Sequence, residues 1–95
     1  MNLKSLVNGL TILDDALKRK ATGTVNMVHT LRNWLFGYYI VEYEQKGEDR
    51  ARYGDQILEN ISKGLKDKVK GTSVTNLRLF RQFYQTYPQI GQTLS

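Results

Sequence analysis

The sequence predicts an all-α, four-helix domain, and two observations carry that prediction. Pro88 is the only proline, so no proline interrupts a helix over most of the chain. Apolar residues recur at spacings of three and four, the period of an amphipathic helix, and no segment alternates as a strand does. With 95 residues, 40% of them hydrophobic, the chain suffices for a single domain over residues 1–95 with a modest core.

The first helix carries a leucine seam at spacings of three and four, formed by Leu3, Leu6, Leu10, Leu13 and Leu17. Lys18, Arg19 and Lys20 follow the seam, where cations suit the negative end of the helix dipole. We predict a loop from Ala21 to Thr24, with Gly23 as a candidate C-cap of the first helix. The seam is shorter than that of a sustained coiled coil, so we expect it to pack within the bundle. A homo-oligomer formed through the same seam is the alternative.

The second helix is expected from about Val25 to Lys46, with apolar residues on several sides. A helix that is apolar over so much of its circumference is central and packs against several neighbours. Gly37 in its middle costs roughly 1 kcal/mol relative to alanine, so we expect another helix to approach closely there. We assign its clustered aromatic residues to the core and give His29 no chemical role.

The third and fourth helices are predicted from the second half of the chain. The segment Gly47 to Asp49 breaks the pattern, and the third helix then takes up Tyr53, Ile57, Leu58, Ile61 and Leu65 before it fades near Lys70. After the connection at 70–73, Ser73 or Thr72 is a good N-cap for a fourth helix, which reaches Tyr87 just before Pro88. The tail from Gln89 to Ser95 shows no periodic pattern.

The positive charge of the chain is concentrated in one segment. Six basic residues lie between Lys63 and Arg81, where only Asp67 opposes them, so this segment accounts for the whole net charge of +5. Such a concentration of cations favours an anionic partner. Lys66, Lys68 and Lys70 are therefore candidate contacts to nucleic-acid phosphates.

A helical wheel divides the fourth helix into two faces. The apolar face consists of Leu77, Leu79, Phe80, Phe83, Tyr84 and Tyr87. The polar face consists of Thr75, Arg78, Arg81, Gln82 and Gln85, whose side chains are suited to contacting base edges. Asn76 falls on the apolar side, so we interpret it as structural or as a cap partner.

Helices three and four, over residues 63–87, thus have the layout of a helix-turn-helix. The candidate nucleic-acid-binding residues are Lys66, Lys68, Lys70, Ser73, Thr75, Arg78, Arg81, Gln82 and Gln85. A helical protein-interaction or dimerisation module without nucleic-acid binding is the alternative, because lysine-rich helix ends and exposed arginines also occur in ordinary bundles.

We find no enzyme in this chain and expect no cofactor or metal site. The absence of cysteine excludes thiolate zinc sites and cysteine nucleophiles, and no glycine-rich phosphate loop is present. Glu44-Gln45-Lys46 matches part of a nuclease motif, but it ends a helical segment, where positions i and i+2 point apart. We interpret Asp14-Asp15 and Glu48-Asp49 as surface charge near helix ends. No membrane span or signal peptide is recognised, so we expect a cytoplasmic protein.

Several ordered blocks stand out between Val25 and Ser95, namely Asn33–Leu35, Gly37–Gly47, Arg50–Gly54, Asn76–Tyr84 and Tyr87–Pro88. Together they resemble the N-terminal domain of the YhcG-type nuclease family. The resemblance implies a helical, DNA-binding domain of helix-turn-helix type that precedes a C-terminal PD-(D/E)xK nuclease domain in the same protein. We therefore expect this chain to be the N-terminal part of a longer protein, without the catalytic residues of the nuclease.

Overall fold

The computed structural model describes residues 1–19, 25–50 and 56–94, which contain five α-helices and no strand. The helices are α1 (Leu3–Arg19), α2 (Val25–Lys46), α3 (Ile57–Leu65), α4 (Val74–Thr86) and α5 (Ile90–Leu94). The all-α prediction is confirmed. The predicted loop at 21–24 and the start of the third helix at Tyr53 lie outside the described residues. None of the described helices has the length and apolar character needed to cross a bilayer.

Two helix boundaries differ from the prediction. The third helix ends at Leu65 rather than near Lys70, so the lysines that follow it lie in a turn. The tail, for which no helix was predicted, forms α5 directly after Pro88. Its length of five residues is little more than one turn, which is too short for a periodic pattern to reveal.

Helix α2 is central, as its apolar circumference predicted, and it packs against α1 and most extensively against α4. Gly37 lies at the contact with α4. A Cβ atom there would overlap the carbonyl group of Phe80 and lie 2.9 Å from the Cβ of Tyr84. The predicted close approach of another helix at Gly37 is confirmed.

The core draws on the first four helices and the α3–α4 turn. Its buried residues are Leu6, Val7, Leu10, Phe36, Ile40, Tyr43, Leu58, Ile61, Leu65, Val69, Leu77 and Phe80. Leu6 and Leu10 of the leucine seam are fully buried, and Leu3 and Leu13 pack against the same cluster. These four seam leucines therefore pack against other residues of the same chain.

Asp14 corrects the interpretation of the Asp14-Asp15 pair as surface charge. Its side chain is 5% exposed, and one carboxylate oxygen lies 3.1 Å from the Arg32 guanidinium of α2 while the other lies 2.9 Å from Lys18. Arg32 also lies over the rings of Phe36 and Phe80. Asp14 therefore joins α1 to α2, whereas Asp15 pairs with Arg19 on the surface as predicted.

Asp49 is likewise structural rather than simple surface charge. Its carboxylate accepts a hydrogen bond from the backbone N–H of Leu3 at 3.1 Å and from the Tyr43 hydroxyl at 2.7 Å. Carboxylates stabilise helix N-termini because they accept from backbone N–H groups that have no partner within the helix. Asp49 thus fixes the start of α1 to the end of α2, while Glu48 remains exposed.

Candidate nucleic-acid interface

The predicted binding residues fall on two surfaces. The first is the turn of residues 66–71 that follows α3, here called the lysine turn because it carries Lys66, Lys68 and Lys70. The second is the outward face of α4. Eight residues separate Leu65 from Val74, whereas a helix-turn-helix connects its helices with three or four residues. The helix-turn-helix assignment is therefore not confirmed.

The three lysines of the lysine turn are all exposed. None of them forms an ion pair with any residue that the structure describes. Lys66 and Lys70 line an open concavity of about 400 Å³ together with Gly71 and Ser73. The lysine turn thus presents unneutralised cations around a shallow depression.

Hydrogen bonds and a core contact hold the backbone of this turn in place. Val69 is buried between the exposed lysines. The Ser62 hydroxyl donates to the carbonyl of Thr72 at 2.7 Å, and the Thr72 hydroxyl donates to the carbonyl of Val69 at 3.0 Å. Gly71 has a φ of 75°, in the left-handed region that glycine adopts at little cost. The lysines are therefore carried by an anchored segment.

Ser73 is the N-cap of α4, so of the two N-cap candidates, Ser73 and Thr72, the first is confirmed. Its Oγ accepts the backbone N–H of Asn76 at 3.2 Å, and the Asn76 side chain donates to the carbonyl of Gly71 at 3.1 Å. Asn76 is thus structural, as its place on the wheel predicted. The first turn of α4 contains no acidic residue, so the positive end of its dipole adds to the field of the lysines.

The two predicted faces of the fourth helix differ from the structure at three positions. Thr75, Arg78, Gln82 and Gln85 of the polar face are exposed, as predicted. Arg81 is partly buried, because its guanidinium Nη1 lies 2.7 Å from a carboxylate oxygen of Glu44 on α2. Leu79 and Tyr87, assigned to the apolar face, are 54% and 49% exposed. A helical wheel orders side chains around the axis, but it does not show where the neighbouring helices lie.

A small polar pocket of about 230 Å³ lies between α2, α3 and α4. Its charged lining residues are Glu44, Glu59, Arg78 and Arg81. Both glutamates were missed as site residues by the sequence reasoning. Glu44 and Arg81 are 37 positions apart, and no local pattern in the sequence relates them. The pocket places carboxylates beside the two arginines that were predicted to face nucleic acid.

The nuclease-like triplet Glu44-Gln45-Lys46 lies in the last turn of α2, in agreement with the helical assignment that made the match accidental. Across residues 1–19, 25–50 and 56–94, no three histidine or carboxylate side chains come together as a set of metal ligands.

Comparisons with known proteins relate this chain to a family and to one longer relative. The "Putative nuclease YhcG" of Escherichia coli (strain K12) is 38% identical in an alignment 91 residues long that covers 93% of this chain and 24% of that protein. The chain thus spans about a quarter of the length of that relative. No solved structure matches the chain. The DUF1016 N-terminal domain model matches residues 11–95. The resemblance seen in the sequence is confirmed, and the chain belongs to the DUF1016 N-terminal domain family.

Proposed function

We propose that this domain binds DNA through the lysine turn and the outward face of α4. The observation that carries the proposal is the set of three exposed lysines without ion-pair partners among the described residues, held on an anchored turn. Lysines placed in this way contact phosphates and release counterions, which supplies sequence-independent affinity.

The lysine turn contacts phosphates, and α4 contacts bases. Contacts from Lys66 and Lys70 to phosphates fix the position of the domain, since such contacts carry no sequence information directly. Arg78, Gln82 and Gln85 are exposed on the helix that follows and supply the donors and acceptors that base edges recognise. Binding starts at the turn, and α4 then reads the groove.

Similarity to a relative described as a putative nuclease supports a role for this domain within a longer nuclease protein. By that similarity, the domain positions a nuclease domain of the same protein on its DNA substrate. The domain itself contributes binding, and the bond-breaking residues belong to the rest of the protein.

A titration of a short DNA duplex against a series of salt concentrations tests the binding proposal. Replacing Lys66, Lys68 and Lys70 together by glutamine should weaken binding, and the slope of log affinity against log salt should become less negative by about 0.9 for each lysine that contacts a phosphate. Binding is measured by fluorescence anisotropy on the wild type and the variant.

A matched control keeps the test independent of net charge. Replacing Lys4, Arg19 and Lys46 by glutamine removes the same charge from exposed positions elsewhere on the surface. This control variant should keep most of the affinity. Equal losses in the two triple variants would mean that the lysine turn is not the binding surface, and an unchanged slope in the first would contradict the proposal outright.

Homo-oligomerisation is the second candidate function. Leu6 and Leu10 of the leucine seam are fully buried within the chain, but Ile12 of the same helix is 68% exposed. It borders an apolar groove of about 360 Å³ that Leu13 of the seam, Ala16 and Tyr39 also line. Light scattering on the protein without DNA measures its molar mass. A mass of one chain at high concentration rules this candidate out.

A further inference from the structure

The ion pair between Glu44 and Arg81 is the only one between α2 and α4 among the described residues. Its side chains are about a quarter exposed, 26% for Glu44 and 28% for Arg81. The pair is therefore neither sealed in the core nor freely solvated. An incoming anion can reach it.

The two arginines of the polar pocket differ in availability. Arg78 and Arg81 lie three residues apart on α4, so their side chains project from neighbouring positions of the same helix. Arg78 is exposed and makes no ion pair with a described residue, whereas Arg81 donates a hydrogen bond of 2.7 Å to Glu44. One arginine is free for a ligand, and the other is already occupied by a carboxylate.

A carboxylate and a phosphate compete for the same guanidinium group. Both present paired oxygens that match the planar donors of arginine, and both form short, charge-assisted hydrogen bonds with it. One oxygen of the Glu44 carboxylate accepts a hydrogen bond from Nη1 of Arg81, so it occupies one of the donors that a phosphate would use. In addition, its negative charge repels a phosphate that approaches the pocket.

We propose that Glu44 is a built-in competitor that restrains nucleic-acid binding by withholding Arg81 from phosphate. This inference rests on the proposed DNA binding and adds a residue that limits its affinity. Arg81 contributes a phosphate contact only after the ligand displaces Glu44. Removing the carboxylate therefore frees one cation without changing the lysine turn.

Glu44→Gln tests this proposal, and Glu42→Gln is its matched control. Glu42 lies on the same helix, its side chain is 30% exposed, and it pairs with Lys46 rather than with α4. Both substitutions remove one negative charge. Any difference between them therefore reports the place of the Glu44 carboxylate in the polar pocket and not the net charge of the protein, and the Arg81→Gln background isolates the contact with Arg81.

The expected result is a gain of one phosphate contact in Glu44→Gln alone. The slope of log affinity against log salt should steepen by about 0.9, so the gain in affinity for a short DNA duplex should be about 3.5-fold larger at 50 mM salt than at 200 mM. Glu42→Gln should leave the slope unchanged. In an Arg81→Gln background, Glu44→Gln should produce no gain in slope beyond that of its control.

The outcomes separate this inference from the function on which it rests. Absence of salt-dependent binding by the wild-type chain overturns the proposed function and this inference with it. Binding by the wild type with identical behaviour of the two glutamine variants overturns the competitor role alone. Circular dichroism and thermal unfolding of every variant confirm that the compared proteins are folded.

Discussion

Arg32 and Arg81, compared with the lysine turn, show two uses of positive charge in one small domain. Each arginine is bound by a carboxylate from another helix, Arg32 by Asp14 of α1 and Arg81 by Glu44 of α2. The lysines of the turn have no such partner among the described residues. The arginine pairs join helices, whereas the lysines are left for a ligand.

The net charge counted along a segment of the sequence therefore differs from the charge that this segment leaves unpaired on the folded surface. Residues 63–81 carry the whole net charge of the chain, and Arg81 is part of that count. In the folded chain Glu44 neutralises Arg81, although Glu44 lies far outside the segment. The cations available to a ligand are thus fewer than the sequence indicates.

The largest effect is expected from breaking the buried arginine pair. Asp14→Leu removes the carboxylate and leaves the Arg32 guanidinium, whose side chain is 10% exposed, without its ionic partner. Because an unpaired buried charge keeps its desolvation cost, the free energy of unfolding should fall by about 3 kcal/mol. Urea denaturation followed by circular dichroism measures this change.

Asp15→Leu is the neighbouring control for this prediction. Asp15 is 60% exposed and pairs with Arg19 on the surface of α1. Exposed pairs of this kind contribute little, so the change should stay within about 0.5 kcal/mol. Similar losses in the two leucine variants would contradict the distinction between buried and surface pairs.

An intermediate effect is expected at Gly37, which sets the separation of α2 and α4 on which the Glu44–Arg81 pair depends. In Gly37→Ala the new methyl group would overlap the backbone of Phe80 and force the helices apart. We expect a loss of about 2 kcal/mol in the free energy of unfolding, since overpacking outweighs the gain in helix propensity.

Gly9→Ala should change the free energy of unfolding in the opposite direction from Gly37→Ala. A Cβ at Gly9 of α1 would meet nothing within 4 Å. The substitution should therefore stabilise the protein by up to about 1 kcal/mol through helix propensity alone. If thermal unfolding showed both alanine variants to be stabilised, the close α2–α4 approach would be wrong.

The smallest effect is expected at Ser73, where the lysine turn meets α4. Ser73→Ala removes the acceptor for the Asn76 N–H, and loss of an N-cap costs about 1 kcal/mol of stability. Because Ser73 acts here as a cap, the salt dependence of DNA binding should not change. Equilibrium unfolding and the duplex titration measure the two quantities.

Thr75→Ala is the control for the cap, because Thr75 is exposed in the first turn of α4. Its effect on stability should stay within about 0.5 kcal/mol. A lower salt slope in Ser73→Ala, with unchanged stability, would assign Ser73 to the ligand instead of the helix.

Much of the fold could be predicted, because the face of a helix that packs against its neighbours carries apolar residues at spacings of three and four in the sequence. The leucine seam, the central position of α2 and the close approach at Gly37 were all readable from spacing and residue type. The N-cap of α4 was readable as well, since Ser73 satisfies a backbone N–H only three residues away. The short helix α5 was missed because one turn contains no repeat.

The candidate site was only partly readable. Exposure of Lys66, Lys68, Lys70 and Arg78 agrees with the prediction, because lysine and arginine side chains favour water unless paired. The partial burial of Arg81 and the exposure of Leu79 were not foreseen. Both depend on which side of α4 faces α2, and that is a relation between two helices.

The sequence by itself determined the helical class and the concentration of cations near the fourth helix, because composition and periodicity are properties of adjacent residues. Its ordered blocks carried the resemblance to the family. Only the tertiary structure decided which of those cations remain available. Asp14 meets Arg32 across 18 positions, and Glu44 meets Arg81 across 37. Coulombic attraction and burial depend on distance in space, which the packing of helices creates and the order of residues does not reveal.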